Sequence, residues 1–285
     1  MDNKEKKSDI SRCFQKLCRQ KITTVALLVI VLLVLISVFG SWIVPYDPIQ
    51  PDYSAVLQSP SSQHLLGTDE FGRDVLSRLL VGTRISLGVS VSSVLLGAVI
   101  GSILGLMAGY YGGVLDSFIM RSCDILFAFP GILLAIGIIA ILGPGLKNVV
   151  IAVTVYTIPV FTRIIRSSTL GLKNMMYIEA ARSMGIPNRQ IIRKHIFPGT
   201  FPVMLVYITM RIGSGILIAA SLSYIGLGAQ PPLPEWGAML TSGREYLVTA
   251  PHVAFFPGFA ILITCLAFNL FGDGLRDALD QKITE

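Results

Sequence analysis

The residues able to do chemistry in this chain sit in three places. The first is a polar, basic stretch at 179–198, EAARSMGIPNRQIIRKHIFP, between two long apolar runs. Residues 175–184 are good helix formers with no breaker. Met175, Ile178, Ala181 and Met184 share one helical stripe. Glu179 is the single acid among many bases, suited to a cap or a specific pairing. Ala180 and Ala181 carry almost no side chain, so another protein can approach the backbone closely. Gly185 can take the left-handed conformation that ends a helix. Pro187 suits the first turn of a second helix and Pro198 its end. The spacing predicts a short helix, a sharp turn and a basic helix, held in water beside a membrane and shaped to hold a soluble partner. An ordinary loop whose bases only fix topology would have the same composition.

The second place is HLLGTDEFGRDVLSRLLVGTRISL, beginning at His64. It carries Gly67, Thr68, Asp69, Gly72, Arg73, Asp74, Ser77 and Arg78. Asp74 and Arg78 stand four apart and can pair on one helical face. Taken alone, the stretch is a solvated, amphipathic lead-in to an apolar helix. The third place is Arg211, the one basic residue inside an apolar span. Such a charge is costly in a bilayer and is a candidate for the transport path. The alternatives are a structural pair with a neighbouring subunit, or a helix shifted so that Arg211 lies shallow.

Enzyme chemistry finds no footing. There is no G-x-x-x-x-G-K-[ST] run to cradle nucleotide phosphates. No Ser/His/Asp or Cys/His arrangement forms a plausible catalytic site, so no catalytic residue is assigned. Cys13, Cys18, Cys123 and Cys265 form neither a disulfide framework nor a metal cage. His64, His195 and His252 lack ligand spacing, so no metal site is assigned.

The elements that must position these residues are apolar helices. The chain has 285 residues, 53% hydrophobic and 14% charged, with a mean hydropathy of +0.69. A soluble domain carries roughly a quarter charged residues, so this is an all-α polytopic membrane protein, and the expected locale is the cytoplasmic membrane. The net charge of +6 belongs to topology signals beside apolar runs rather than to nucleic-acid binding. Residues 1–22 form a basic cytoplasmic tail. The apolar run after it is long enough to span and is followed by no small-residue cleavage site, so it is a retained first helix at 23–44. Residues 45–84 form the longest external segment. A five-helix core covers 85–272, with spans expected at 87–109, 125–142 (bent near Pro130), 148–165, 201–222 and 253–271 (kinked at Pro257). Arg163 and Arg166 snorkel to the inner interface. The cytoplasmic loop runs from 166 to 199, and a polar tail occupies 273–285. Trp236, in a proline-rich external loop, suits a membrane interface. Of the 23 Lys and Arg residues, only Arg73, Arg78, Arg84, Lys147 and Arg244 fall outside and Arg211 within a span. That asymmetry places both termini inside and requires six spans.

The 179–198 stretch resembles the EAA loop of ABC importer permeases, with Glu179, Ala180, Ala181, Gly185 and Pro198 in the family's places. His195 and Phe197 replace its more usual Ile and Leu. The run from His64 resembles the H-x-L-G-T-D-x-x-G-R-D-x-x-S-R pattern of the dipeptide, oligopeptide and nickel branch. GLGAQPPLPEWG and FNLFGDGLRDALD resemble the same branch, so the likeness covers about 24–280. One departure is Ala219-Ala220-Ser221, where relatives often carry an acid. The resemblance implies the six-helix type I importer permease fold. It implies that Glu179, Ala180, Ala181, Met184, Gly185 and Pro198 belong to a coupling loop whose helix is held by an ATPase. It also implies a second homologous permease, two ATP-binding subunits that bind ATP and magnesium, an external solute-binding protein, and no cofactor in this chain. The implied cargo is a di- or oligopeptide. The alternative within the same architecture is nickel or a metal chelate. A stand-alone channel or secondary carrier is a third reading, weakened by the lack of mid-membrane ionisable groups other than Arg211.

Overall fold

The structure is a computed structural model that describes residues 20–280. Residues 1–19 of the basic tail, with Cys13 and Cys18, and the last five residues lie outside the described residues. Among those described, the fold is all helical, and an isolated bridge between Thr68 and Asp74 is the sole extended pairing. In chain order the helices are α1 (Lys21–Ile43), α2 (Val75–Tyr111), α3 (Gly113–Phe127), α4 (Gly131–Leu142), α5 (Leu146–Lys173), α6 (Met176–Ser183), α7 (Asn188–Ile191), α8 (Phe197–Tyr224), α9 (Trp236–Gly243) and α10 (His252–Asp280). A π turn, Ile192–Ile196, joins α7 to α8.

Five helices are long and apolar enough to cross a membrane. The pair α3 and α4 meets at 90° and together makes a sixth candidate. Ala128, Phe129 and Pro130 form the break, because Pro130 has no N–H to continue the ladder and restricts the residue before it. The third span is therefore not one bent rod over 125–142. Its first half begins at Gly113, well ahead of the expected start at 125.

Other boundaries also move. The second span begins at Val75, because the Asp74 carboxylate accepts the Ser77 N–H at 2.7 Å and caps the helix there. Its first turns were expected to belong to the external segment 45–84, as an amphipathic lead-in ahead of the span. The fourth span continues to Lys173 and the last to Asp280. Pro198 does not end a helix. The π turn absorbs it: the Phe197 N–H donates to Ile192 O, and the widened ladder leaves space for a ring without a donor.

The centre of the bundle is the α2–α5 seam. Gly97, Gly101, Gly105 and Gly109 recur every fourth residue along α2. A Cβ at Gly97 would stand 2.7 Å from Thr157 Cβ. At Gly101 it would be 2.6 Å from Ile158 O, and at Gly105 2.6 Å from Thr162 O. These approaches, to backbone carbonyls at Gly101 and Gly105 and to a threonine side chain at Gly97, leave no room for a Cβ, the small-residue packing used between helices in lipid. Facing threonines turn their hydroxyls back onto their own helix: Thr157 to Val153 O (2.7 Å), Thr162 to Ile158 O (2.9 Å) and Thr169 to Ile165 O (2.7 Å). Their methyl groups are left for the seam. Ser90 on the same helix donates to Ile212 O at 2.7 Å and ties α2 to α8.

The helices alternate, so both described ends of the chain lie at the end of the bundle that carries α6. Thr23 at the start of α1 packs against Gly274 near the end of α10. Residues 45–74 and the 225–251 segment lie at the opposite end. There Trp236 is buried to 1% exposure and donates from Nε1 to Leu79 O at 3.2 Å. It is a core anchor and not the interfacial belt residue its loop position suggested.

Overpacking the seam should be costly. Gly101→Val is expected to destabilise the protein by about 1–3 kcal/mol, read as a lower thermal midpoint in detergent. Gly88→Ala, on the same helix with no atom within 4 Å of the added carbon, should leave the midpoint unchanged or slightly raised. Equal midpoints for the two variants would refute the close approach.

Candidate docking loop and charged clamp

α6 is amphipathic at helical spacing, and its two faces are used differently. Ile178 and Ala181 are turned inward, at 0% and 3% exposure. They join Leu106, Tyr110, Ile165, Ile191 and Ile196 in one apolar cluster at the ends of α2 and α5. Met176 (86% exposed), Met184 (72%), Glu179, Ala180 and Ser183 face away from the protein. The expected stripe of Met175, Ile178, Ala181 and Met184 is therefore split. The anchoring pair is inward, and Met175 and Met184 are exposed. Only Ala180 of the two alanines leaves its backbone open to a visitor.

The end of α6 is built as expected from Gly185. Its φ is +78°. The Ile186 N–H donates to Ala181 O (3.1 Å) and the Gly185 N–H to Arg182 O (2.9 Å). This paired arrangement closes a helix through a left-handed residue.

Tyr110, at the end of α2, holds the second half of the loop. Its hydroxyl donates to Asn188 Oδ1 at 2.6 Å. The Arg182 guanidinium lies 5.1 Å from its ring centre and the Lys173 ammonium 6.0 Å, both within cation–π range. Two turns back on α5, Arg166 forms a two-pronged pair with Asp116 at 2.5 and 2.6 Å. Arg163 meets Asp124 at 2.5 Å and covers the Phe127 ring at 4.2 Å. These arginines thus bind α3 rather than only reaching for an interface. Tyr110, Asn188, Asp116 and Asp124 were missed by sequence reasoning, because each partner is 39 to 78 residues away.

At the other end, the residues of the second motif form a buried clamp. Asp69, Arg73, Asp74 and Arg78 are all buried, so the stretch is not a solvated lead-in. Arg73 Nε lies 2.7 Å and Arg78 Nε 3.3 Å from Asp69 Oδ2. Arg78 therefore turns to Asp69 and not to Asp74, the partner its spacing suggested. Asp74 instead accepts from the Ser77 hydroxyl at 2.8 Å and lies 3.0 Å from His64 Nδ1. Arg78 Nη1 also donates to Pro48 O (2.7 Å) and Pro232 O (3.4 Å). One guanidinium thereby joins two segments far apart in the chain. His252 Nε2 lies 3.1 Å from Thr68 O, and Thr68 donates to Ala55 O. Gly72, at φ +72°, lets the turn pass against the Asp52 carbonyl. Asp52 is held below the usual carboxylate range by the Ser54 hydroxyl and amide. Gly67 completes the turn by meeting the His252 ring. His64 and His252, unremarkable by spacing, are brought into one cluster.

Arg211 lies at the centre of α8, half-buried. The clamp is expected to fail when its shared acid goes. Asp69→Asn leaves two buried guanidinium groups short of charge and should cost about 3–5 kcal/mol. The readout is thermal unfolding together with proteolysis within residues 45–74. Unaltered values for both would mean that the clamp is not structural.

Residues 76–285 match the family described as "Binding-protein-dependent transport system inner membrane component". Residues 10–60 match the "N-terminal TM domain of oligopeptide transport permease C". The chain is 54% identical over 271 residues to "Glutathione transport system permease protein GsiD" of Pectobacterium atrosepticum, covering 95% of this chain and 90% of that one. The protein of the same name from Escherichia coli O157:H7 is also 54% identical, over 266 residues, covering 93% and 88%. Among solved structures, an inward-facing MetNI methionine ABC transporter chain aligns with a TM-score of 0.57 at 22% identity, over 70% of this chain and 95% of that one. An amino acid ABC transporter aligns at 0.53 and 16%, over 69% and 91%. The last two speak for the fold alone. On the strength of the match across α2 to α10 and of these relatives, the chain belongs to the binding-protein-dependent transport system inner-membrane components, the permease subunits of ABC importers, and is a multi-pass protein of the cytoplasmic membrane.

Proposed function

We propose that this chain is one permease of an ABC importer for small peptides, glutathione among them, and that α6 with its glycine turn is where a partner ATPase grips it. The cargo class is supported by what the 54%-identical relatives are called and by the match of residues 10–60 to a peptide-permease segment. The grip is supported by one observation above all. α6 presents Met176, Glu179, Ala180 and Met184 outward, on a base of Ile178 and Ala181 sunk into the ends of α2 and α5. In this reading the α6 end faces the cytoplasm, as the basic residues around it favour.

The chain carries no nucleotide site in this reading, so the work arrives through contact. A second permease completes the passage, two ATP-binding subunits supply the stroke, and an external solute-binding protein delivers the peptide. Closure of the ATPases displaces α6. The displacement passes to α5, which is separated from α6 by two residues, and to α8 through α7 and the π turn. Tyr110 keeps both halves of the loop on α2, so the loop moves as a unit. The stroke shifts the passage between its two open states only through contacts that differ between those states.

Two variants test this in the full complex reconstituted in proteoliposomes with its receptor. Gly185→Val forces a branched side chain into a left-handed turn, a strain of about 1–3 kcal/mol. Glutathione uptake should drop about tenfold while basal ATP hydrolysis persists. Normal uptake would remove the loop from the coupling path. Tyr110→Phe deletes only the hydroxyl bonded to Asn188, worth about 1 kcal/mol. Peptide moved per ATP should fall several-fold, and Asn188→Leu added to it should cost little more. Full additivity of the two changes would show that the pair does not act as one.

A further inference from the structure

Arg211 is the residue that the architecture leaves unexplained. At 1.5 Å per residue it stands about 20 Å from either end of α8, beyond the reach of a side chain that would snorkel to an interface. Among the described residues its guanidinium makes no ion pair, hydrogen bond or ring contact. Arg84, Arg121, Arg189 and Arg193 also lack partners, but each is exposed. Elsewhere the same fold satisfies inward guanidinium groups fully, as Arg78 shows with one carboxylate and two carbonyls. A half-buried, unpartnered arginine at the midpoint of a span requires an anion or a wet passage beside it.

The neighbouring residues on α8 narrow the choice. Tyr207 precedes Arg211 by four residues and so lies on the same helical face. It too is half-buried, and its hydroxyl has no partner among the described residues. Ser214 and Ser221 continue that side of the helix. Their hydroxyls donate to Met210 O (3.4 Å) and Leu217 O (2.7 Å) and remain able to accept. The face thus carries four polar side chains in a hydrocarbon-depth helix, interrupted by Ile218 and with the Tyr207 ring resting on the apolar core, and two unused donors stand at its middle. A planar guanidinium matches a carboxylate with two parallel bonds, and a phenol hydroxyl can add a third. A fixed ion pair with a neighbouring subunit would need one acid and no polar continuation. A line of hydroxyls on both sides of the charge instead suits a group that arrives, pauses and leaves, which demands binding that is favourable but weak.

We infer that Tyr207 and Arg211 form a carboxylate station in the transport path, taking the carboxylate of a peptide part-way through the membrane. This rests on the peptide-importer reading above. It adds which chemical group of the cargo is recognised and by which residues.

The test uses the complete complex with its receptor in proteoliposomes. The probes are glutathione and glutathione with both carboxyls amidated. Each variant is compared with wild type on the same probe, so the receptor's own preference cancels. Arg211→Gln should lower glutathione uptake about ten- to a hundredfold, the scale of a charge-assisted pair. Receptor-stimulated ATP hydrolysis should remain, and the diamide should change less than about twofold. Arg211→Lys should recover part of the glutathione uptake, and Tyr207→Phe should lose only several-fold. Three results would overturn the inference: glutathione uptake by Arg211→Gln equal to wild type, equal losses for both probes, or failure of Arg211→Gln and Arg211→Lys alike to assemble with the second permease. The last two would make Arg211 a structural contact. If the wild-type complex carries neither probe, the cargo reading itself fails, and this station falls with it.

Discussion

Everything in this bundle depends on how closely α2 and α5 approach. In lipid there is no hydrophobic gain from pressing two apolar helices together, so contact comes from van der Waals fit and backbone proximity. Four glycines in a row of turns supply that fit, and the facing threonines yield their methyl groups to it. Because the contact is backbone to backbone, neither helix can slide or roll much without a clash. That rigidity gives α6 a firm base. A loop resting on two loosely packed helices would absorb a push in side-chain rearrangement instead of passing it along.

The two ends of the bundle solve different problems with the same kinds of residue. At the clamp, charge is hidden: Asp69 serves two arginines, and Arg78 spends its remaining donors on carbonyls from two distant segments. Breaking any one bond there leaves a buried group uncompensated, so the geometry is held stiffly. At the loop, charge is worn on the outside. Arg182 and Lys173 rest on the Tyr110 ring, and Arg163 and Arg166 pair with acids that are partly exposed. Exposed pairs contribute little stability, and they can be remade at little cost when the loop shifts.

Much of this was legible from the chain alone where a local rule decides the outcome. α1 begins and ends within two residues of its expected bounds because nothing but length and apolarity sets them. The glycine turn at 185 was legible because few other residues adopt its backbone. Reasoning failed where a distant partner decides. Asp74 and Arg78 have the right spacing to pair, yet Asp69 lies closer to the guanidinium once the turn folds. Trp236 looked like an interfacial aromatic until α2 was placed against it. Ala181 looked available until the ends of α2 and α5 were placed behind it. The glycine row could have been found by counting in fours. The Tyr110 hydroxyl contact could not, since nothing near Tyr110 in the chain points to Asn188.

The π turn before Pro198 has a consequence for phase. A five-residue loop of backbone holds one residue more than an α-helical turn does, and each residue in a helix accounts for about 100° of rotation. The segment from 192 to 196 therefore sets the angular offset between the surface that α6 shows to one side and the line of polar side chains that α8 shows along its length. Loss of a single residue there would swing one face by more than a quarter-circle against the other. Both halves would still be well folded, but aimed at different neighbours.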